Sequence, residues 1–413
     1  MDLTYIDLCC GIGGFHQALE KIGCSCVFAC DIDNDCRENY ELNYGISVFG
    51  DINEVVIEQI PEFNILCAGF PCQPFSKAGN QDGFNDNRGN IFFRICEIIE
   101  YHKPEYIILE NVRNLTSHDK GNTWNIIHET LNKLGYNTYN KPLLLNTLYF
   151  GVPQSRERVI IVCKRNDIGD LPEYPKINKN LIQDTTLETI ISETDNSHGL
   201  NSKMIVVEEV WNNFLNILNN NNIEIPRFPI WTDWWDGCGE NTSITKKDKT
   251  KSDEENNIMI KNKQDKFYNK YKNWIDKNRH FYNTNIDKLE SWLYESRARI
   301  EWIGAVRKFE WQVSNSNSNL TMNDVLWSSR GSGIRVKSIN YTPTLVAMTS
   351  MIPVYGPLSR HLTPRECARL QSFPENYIIH PDDRIAYKQF GNAVNVLMIE
   401  RCARFLLLNE SLF

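Results

Sequence analysis

Thr4-Tyr5-Ile6-Asp7-Leu8-Cys9-Cys10-Gly11-Ile12-Gly13-Gly14-Phe15 is a β-rich run, then a glycine-rich turn, then the start of a helix on which Phe15, Ala18, Leu19 and Ile22 share one face. Glycines between a strand and a helix let the backbone turn tightly and approach a ligand closely. Asp31 ends the next β-rich run, about 20 residues on, where a carboxylate commonly binds ribose hydroxyls. Asp51 ends a third short apolar run and is placed to accept a hydrogen bond from an adenine amine. A dinucleotide fingerprint wants a further glycine where His16 stands, so a nucleoside cofactor fits better than one carrying a pyrophosphate. The competing reading is a glycine turn with a purely structural role.

The same rhythm continues outward from this stretch. Strands are expected at Thr4–Leu8, Cys26–Asp31, Asn64–Ala68, Tyr106–Leu109 and Val159–Cys163, with Ile91, Ile95, Ile98 and Ile99 on one face of an intervening helix that Pro104 stops. Alternation at this spacing predicts an α/β fold with a largely parallel sheet covered by helices on both faces. Such sheets bind ligands beyond the carboxyl ends of their strands. After about Lys164 the rhythm is lost and Asn, Lys and Asp dominate, with Gly239–Asn257 read as a solvated loop. Trp231, Trp234, Trp235, Trp302 and Trp311 argue against disorder there, so a second, smaller domain with long insertions is expected. Thr363-Pro364-Arg365-Glu366 marks a helix start, with Thr at the N-cap, Pro at the first position and Glu three residues on. A last amphipathic helix is expected from about Val394 to Leu407. The domains are drawn at residues 1–190, completed by 376–413, and at 191–375.

Composition sets bounds on function. Hydrophobic residues at 41% and charged residues at 23% are ordinary for a globular protein. No apolar run approaches the roughly 20 residues needed to cross a bilayer, and Met1-Asp2-Leu3-Thr4 lacks the basic leader of a signal peptide. The thirteen cysteines follow no secreted framework and read as reduced thiols in a cytoplasmic protein. The formal charge is −8, and it is uneven, with 21 Asp+Glu against 12 Lys+Arg in residues 1–163 and 31 against 32 thereafter. Nucleic-acid contact needs only a basic face, so this balance neither supports nor excludes it.

Three further motifs carry chemistry. In Gly69-Phe70-Pro71-Cys72-Gln73-Pro74-Phe75-Ser76, two prolines fix a thiol just past an apolar strand, where a thiolate can attack an electrophilic carbon. Glu110-Asn111-Val112 places a carboxyl at the mouth of an apolar strand, where desolvation raises its pKa and suits it to donate a proton, unless it merely caps a helix or pairs with a lysine. In Gln154-Ser155-Arg156-Glu157-Arg158, two arginines at i and i+2 of extended chain point the same way and can bind phosphate or a carbonyl oxygen, or form a surface ion-pair ladder. Cys24, Cys26 and Cys30 alternate into a core, and no metal site is expected.

These motifs, in this order, with Arg365-Glu366-Cys367-Ala368-Arg369-Leu370-Gln371-Ser372-Phe373-Pro374 and Gly391-Asn392-Ala393-Val394 following, resemble the C5-cytosine DNA methyltransferases, bacterial modification enzymes above all. The resemblance implies a Rossmann-like sheet that binds S-adenosylmethionine, and a target-recognition domain in the polar region. It implies that Cys72 adds to C6 of cytosine, that Glu110 engages the ring at N3, and that Arg158 holds the base by its carbonyl oxygen. Arg156 would support a phosphate or the nucleophile's surroundings. Gly11, Gly13, Phe15, Asp31, Ile32, Asp51, Ile52 and Asn392 would line the cofactor pocket. DNA contacts are expected at Gln73, at Ser76 and Arg88, which bound a loop resembling the one that closes over DNA, and at the Thr344-Leu345 pair. The base must leave the helix for this chemistry. Cys9-Cys10 departs from the Phe-Ala usual in the family.

The implied partner is double-stranded DNA bound by a monomer, with a cognate restriction endonuclease acting separately. The runner-up reading is a tRNA cytosine methyltransferase of the same fold. A catalytically silent DNA-binding regulator is a third, and it predicts loss of Cys72, Glu110 or the cofactor carboxylates, all of which are present.

Overall fold

The computed structural model describes residues 2–71, 91–177, 185–195, 197–235, 250, 252–303, 307–313 and 319–413, with the side chains of 300–303 left aside. In chain order the elements are β1 (Thr4–Leu8), α1 (Gly14–Glu20), β2 (Ser25–Cys30), α2 (Asn34–Tyr44), β3 (Ile65–Gly69), α3 (Ile91–His102), β4 (Tyr106–Val112), α4 (Asn122–Lys133), β5 (Tyr136–Thr138), β6 (Leu143–Asn146), β7 (Gln154–Ser155) and β8 (Glu157–Arg165). They continue with α5 (Ser202–Asn220), β9 (Ile230–Trp231), α6 (Asp253–Thr284), α7 (Ile286–Ile303), β10 (Lys308–Trp311), β11 (Leu326–Arg330), β12 (Gly333–Lys337), β13 (Thr342–Pro343), β14 (Val354–Tyr355), β15 (Arg360–His361), α8 (Pro364–Leu370), α9 (Asp383–Asn392) and α10 (Val396–Leu408).

The chain forms two compact units, the first made of Met1–Ser192, Asn340–Thr349 and Thr363–Phe413, the second of Glu193–Ile339 and Ser350–Leu362. In the first, a seven-stranded sheet runs β2-β1-β3-β4-β8-β5, with β6 also on β8. The β1–β4 pairings are parallel, whereas β8 runs antiparallel to β4, β5 and β6. Ile6, Leu8, Leu66, Ala68, Ile107 and Leu109 pack on Phe92, Ile95 and Ile99 of α3 and Ile127 and Leu131 of α4. The alternate residues Tyr5, Asp7, Cys67 and Ile108 are equally buried, as period-two geometry requires when both faces are covered. On α1 and α10, which pack together, Ala18, Leu19, Ile399 and Ala403 are buried.

The domain border drawn from sequence needs correction. Asn340–Thr349 and Thr363–Glu375 belong to the first unit, not the second. The reason is local pairing: β13 adds in parallel to β7 with Thr342 opposite Gln154, and the N–H of Ser192 donates to the Glu366 carboxylate at 2.8 Å. The expected cap of α8 is present, with Thr363 and Glu366 each bonding the other's backbone N–H.

The second unit pairs a six-stranded sheet, β15-β14-β11-β12-β10-β9, with α5–α7. Trp211, Phe214, Trp235, Trp292, Phe309, Trp311 and Trp327 share its core. Where sequence suggested no rhythm, α6 runs for 32 residues, started by a reciprocal Ser252–Glu255 cap. Residues 253–257, expected in a loop, are its first turn.

Candidate active site

Beyond the carboxyl ends of β1–β4 lies a cavity of about 660 Å³, whose lining among the described residues belongs to the first unit. Two chemically different ends meet in it.

At one end the chain leaves β1 through left-handed backbone at Cys9 (φ 54°), Gly11 (φ 53°) and Gly13 (φ 82°). A side chain at Gly13 would collide with the Tyr44 ring at 2.4 Å, and one at Gly14 with the carbonyl of Val394 at 2.5 Å. Asp31 stands opposite, its two oxygens accepting the N–H groups of Gly11 and Asp33, each at 2.8 Å. Burial raises its pKa above the ordinary carboxylate value, and these two hydrogen bonds oppose the rise. Ile32, 74% exposed, and the buried Ile52 form apolar wall. Asp51 accepts the N–H of Asn53 at 2.9 Å and faces the same space, as do Asn392 and Asn53.

At the other end, Gly69, Phe70 and Pro71 lead from β3 toward Cys72. Glu110, near the carboxyl end of β4 and opposite Ile160 of β8, is buried, and its Oε1 lies 2.8 Å from Nε of Arg158. Burial pushes its carboxyl above the usual glutamate range, and the positive charges of Arg158 and Arg156 pull against that. Asn111 fixes the neighbouring loop by donating from Nδ2 to the carbonyl of Phe70 at 2.9 Å. A buried acid held against one guanidinium, at the floor of an accessible cavity, is equipped to bind and protonate a ring nitrogen.

Not every expected residue reaches this cavity. Gly11, Asp31, Ile32, Asp51, Ile52, Asn392, Glu110 and Arg158 line it, whereas Gly13, Phe15 and Arg156 do not. Phe15 points from the first turn of α1 into the core, and Gly13 backs onto Tyr44. Arg156 has no exposed surface; it donates to the carbonyls of Leu345 (3.0 Å), Gly391 (3.1 Å) and Ala393 (2.7 Å), so it braces the end of α9, which carries Asn392, rather than meeting a phosphate. Extended geometry put both arginines on one side of the strand, but the Arg156 side chain is taken up by backbone.

Thr344 donates to the carbonyl of Ser155 at 2.7 Å, within the first unit. Leu345 is buried, its N–H held by Gln154 at 3.0 Å, so its side chain offers no DNA-contacting surface. Cys72, Gln73, Ser76 and Arg88 lie outside the described residues.

Sequence reading missed several wall residues. Asp33 caps α2 and pairs with Lys388 at 2.6 Å. Cys9, Cys10, Cys30 and Cys36 all line the cavity, and burial pushes the Cys30 thiol up to about 12. The Asp-Asn-Asp run at 33–35 was a readable cap signal for α2; nothing in the sequence announced that four thiols converge.

Comparison with known proteins agrees with this arrangement. Residues 3–407 match the family model for C-5 cytosine-specific DNA methylase. The chain is 31% identical over 402 residues to the type II methyltransferase M.HhaI of Haemophilus parahaemolyticus, covering 97% of this chain and 93% of that protein. Over 157 residues it is 52% identical to the type II methyltransferase M.HaeII of Haemophilus aegyptius, covering 38% of this chain and 49% of the relative. Its fold superposes on the methyltransferase EhMeth of Entamoeba histolytica with a TM-score of 0.54 at 15% identity, over 99% of each chain. With its nucleoside-sized cleft, its buried Glu110–Arg158 pair and a family match over nearly its whole length, the chain belongs to the C-5 cytosine-specific DNA methylases.

Proposed function

We propose that this protein methylates C5 of a cytosine flipped out of duplex DNA, within one short sequence, through a covalent adduct on Cys72. S-adenosylmethionine is the methyl donor of the family, and when bound it supplies the methyl group. Gly11, Asp31, Ile32, Asp51 and Asn392, which line the cavity, would hold it, with the carboxylates available to its hydroxyl and amine donors.

The Cys72 thiolate forms a bond to C6 of the ring. The displaced electron pair is accommodated at N3, where Glu110 delivers a proton, and Arg158 fixes the base by its carbonyl oxygen. C5, now nucleophilic, would take the methyl group as the methyl–sulfur bond breaks and S-adenosylhomocysteine leaves. Loss of the C5 proton to a solvent base then restores the C5–C6 double bond and expels the Cys72 sulfur, and N3 returns its proton to Glu110. The observation that carries this reading is the Glu110–Arg158 contact at 2.8 Å in the same cavity as Asp31. The biological setting proposed is modification alongside a separately acting restriction enzyme, in keeping with relatives named type II methyltransferases.

Labelled S-adenosylmethionine is offered with unmethylated plasmid and, in parallel, bulk tRNA, followed by bisulfite sequencing. Label on plasmid cytosines in one short sequence supports the proposal; label confined to tRNA overturns the substrate. Cys72→Ser should keep cofactor binding while methyl transfer collapses. DNA carrying 5-fluorocytosine in that sequence should trap the wild-type protein, because fluorine cannot leave as a proton does, and should fail to trap the variant.

A further inference from the structure

In the second unit, β12 lies between β11 and β10, so their side chains alternate in register. Trp327, Ile334, Val336, Phe309 and Trp311 enter the core. The opposite face carries Arg330, Arg335, Lys337 and Glu310, with Ser328 opposite Arg335, Leu326 opposite Lys337, and Glu310 beside Arg335. Arg335 binds Glu310 through both Nε and Nη2, each at 3.2 Å. All three cations are half-buried. The charged forms of Arg330 and Lys337 are disfavoured, first by burial and then by neighbouring cations, Arg335 for both and Arg330 for Lys337. The Nε of Arg330 is buried without a hydrogen-bond partner among the described residues.

Half-burying like charges around one carboxylate costs folding stability, and an unmatched buried donor adds to it. Arrangements that oppose stability in this way mark sites kept for a ligand. What Arg330 lacks among the described residues is acceptor atoms bearing negative charge. Phosphate oxygens supply them, as do O6 and N7 of guanine, the common partners of Arg and Lys in DNA.

We propose that Arg330, Arg335 and Lys337, on the polar face of β10–β12, form the surface through which the second unit grips its DNA target. The inference rests on the reading of the chain as a DNA methyltransferase.

The test uses the full chain and its Arg330→Gln and Lys337→Gln variants. Binding is measured by fluorescence anisotropy on a duplex containing the sequence that bisulfite sequencing identifies, over a range of KCl and with each base pair changed in turn. Circular dichroism and a single cooperative melting transition confirm that each variant is folded. Both variants should bind the duplex about tenfold or more weakly, while the free proteins melt at an unchanged or higher temperature. A loss uniform across sequences, with the salt slope reduced by about 0.9 per cation, assigns the contact to phosphate. A loss confined to one guanine-containing pair assigns it to the base edge. Wild-type affinity and salt slope in both variants overturn the inference, as does a lowered melting temperature with DNA affinity intact. Should the wild-type protein itself leave plasmid DNA unmethylated, the proposed function fails before this surface is at issue.

Discussion

At Glu110 two opposed influences meet in one carboxyl. Burial favours the neutral acid, and the guanidinium 2.8 Å away favours the anion; burial prevails and the pKa ends above the ordinary value. A reaction that needs the protonated acid therefore keeps it to higher pH than an exposed glutamate allows, and slows as pH rises through the raised pKa. Glu110→Gln should reduce methyl transfer by roughly 10²–10⁴-fold, the usual worth of a positioned acid, with cofactor affinity retained. Arg158→Gln removes the leading influence against the neutral acid, so the alkaline limb of kcat/KM should move to higher pH while the overall rate falls. An unmoved limb in the pH–rate profile would show that another group titrates.

Asp31 works in the opposite sense, because its anion is the acceptor for two backbone N–H groups. Cofactor affinity should decline as pH falls through its elevated pKa, and Asp31→Asn should weaken binding by about 1.5–3 kcal/mol, the scale of a hydrogen bond to a charged group, while flattening that dependence. Calorimetric titration over a series of falling pH, wild type against Asp31→Asn, checks both.

Among the elements, α9 ends against the segment 342–349 so closely that a Cβ on Gly391 would sit 2.4 Å from the backbone of Val346. Gly391→Ala must push the two backbones apart, at about 1–3 kcal/mol for overpacking, and must shift Asn392 in the cavity wall. A lower melting temperature together with a raised KM for the cofactor is the expected result; a change in melting alone would separate the packing from the site. Elements with strong local signals were legible in the sequence: β1 has the bounds that were read, and the Thr363 cap starts α8. By contrast α6 escaped, because its apolar residues are sparse among Asn and Lys and only part of one stripe, including Ile275, Asn278 and Tyr282, is buried. Its helicity comes from that packing and a cap, which periodicity in a polar window does not reveal. The antiparallel direction of β8 was equally unreadable, since a strand's residues do not state which way its neighbour runs.

For the whole molecule, the described walls of the cofactor cavity come from one unit, and the cation cluster of β10–β12 from the other. Arg330→Gln should therefore leave affinity for S-adenosylmethionine unchanged within error when measured without DNA; a tenfold shift would reveal coupling between the units in the free protein. The motifs that bind and react were legible because their chemistry demands particular residues next to strand ends. The border between the units was misread, because 340–349 and 363–375 join the first unit through pairings to residues far away in sequence, Thr342 with Gln154 among them. Separations of that length leave no local trace.

The same threading has a consequence for the protein's birth. Gln389–Val394 closes the cavity whose glycine turn is made from residues 9–14. A ribosome that has released the chain only as far as β8 has roughly 230 residues still to add before Val394, about 10–50 s at ordinary elongation rates. Throughout that interval the nascent sheet lacks α10 to cover α1, and the turn lacks its far wall. Competence to hold the cofactor arrives late in synthesis, so truncated products released by stalled ribosomes should be inert toward it and dependent on chaperones.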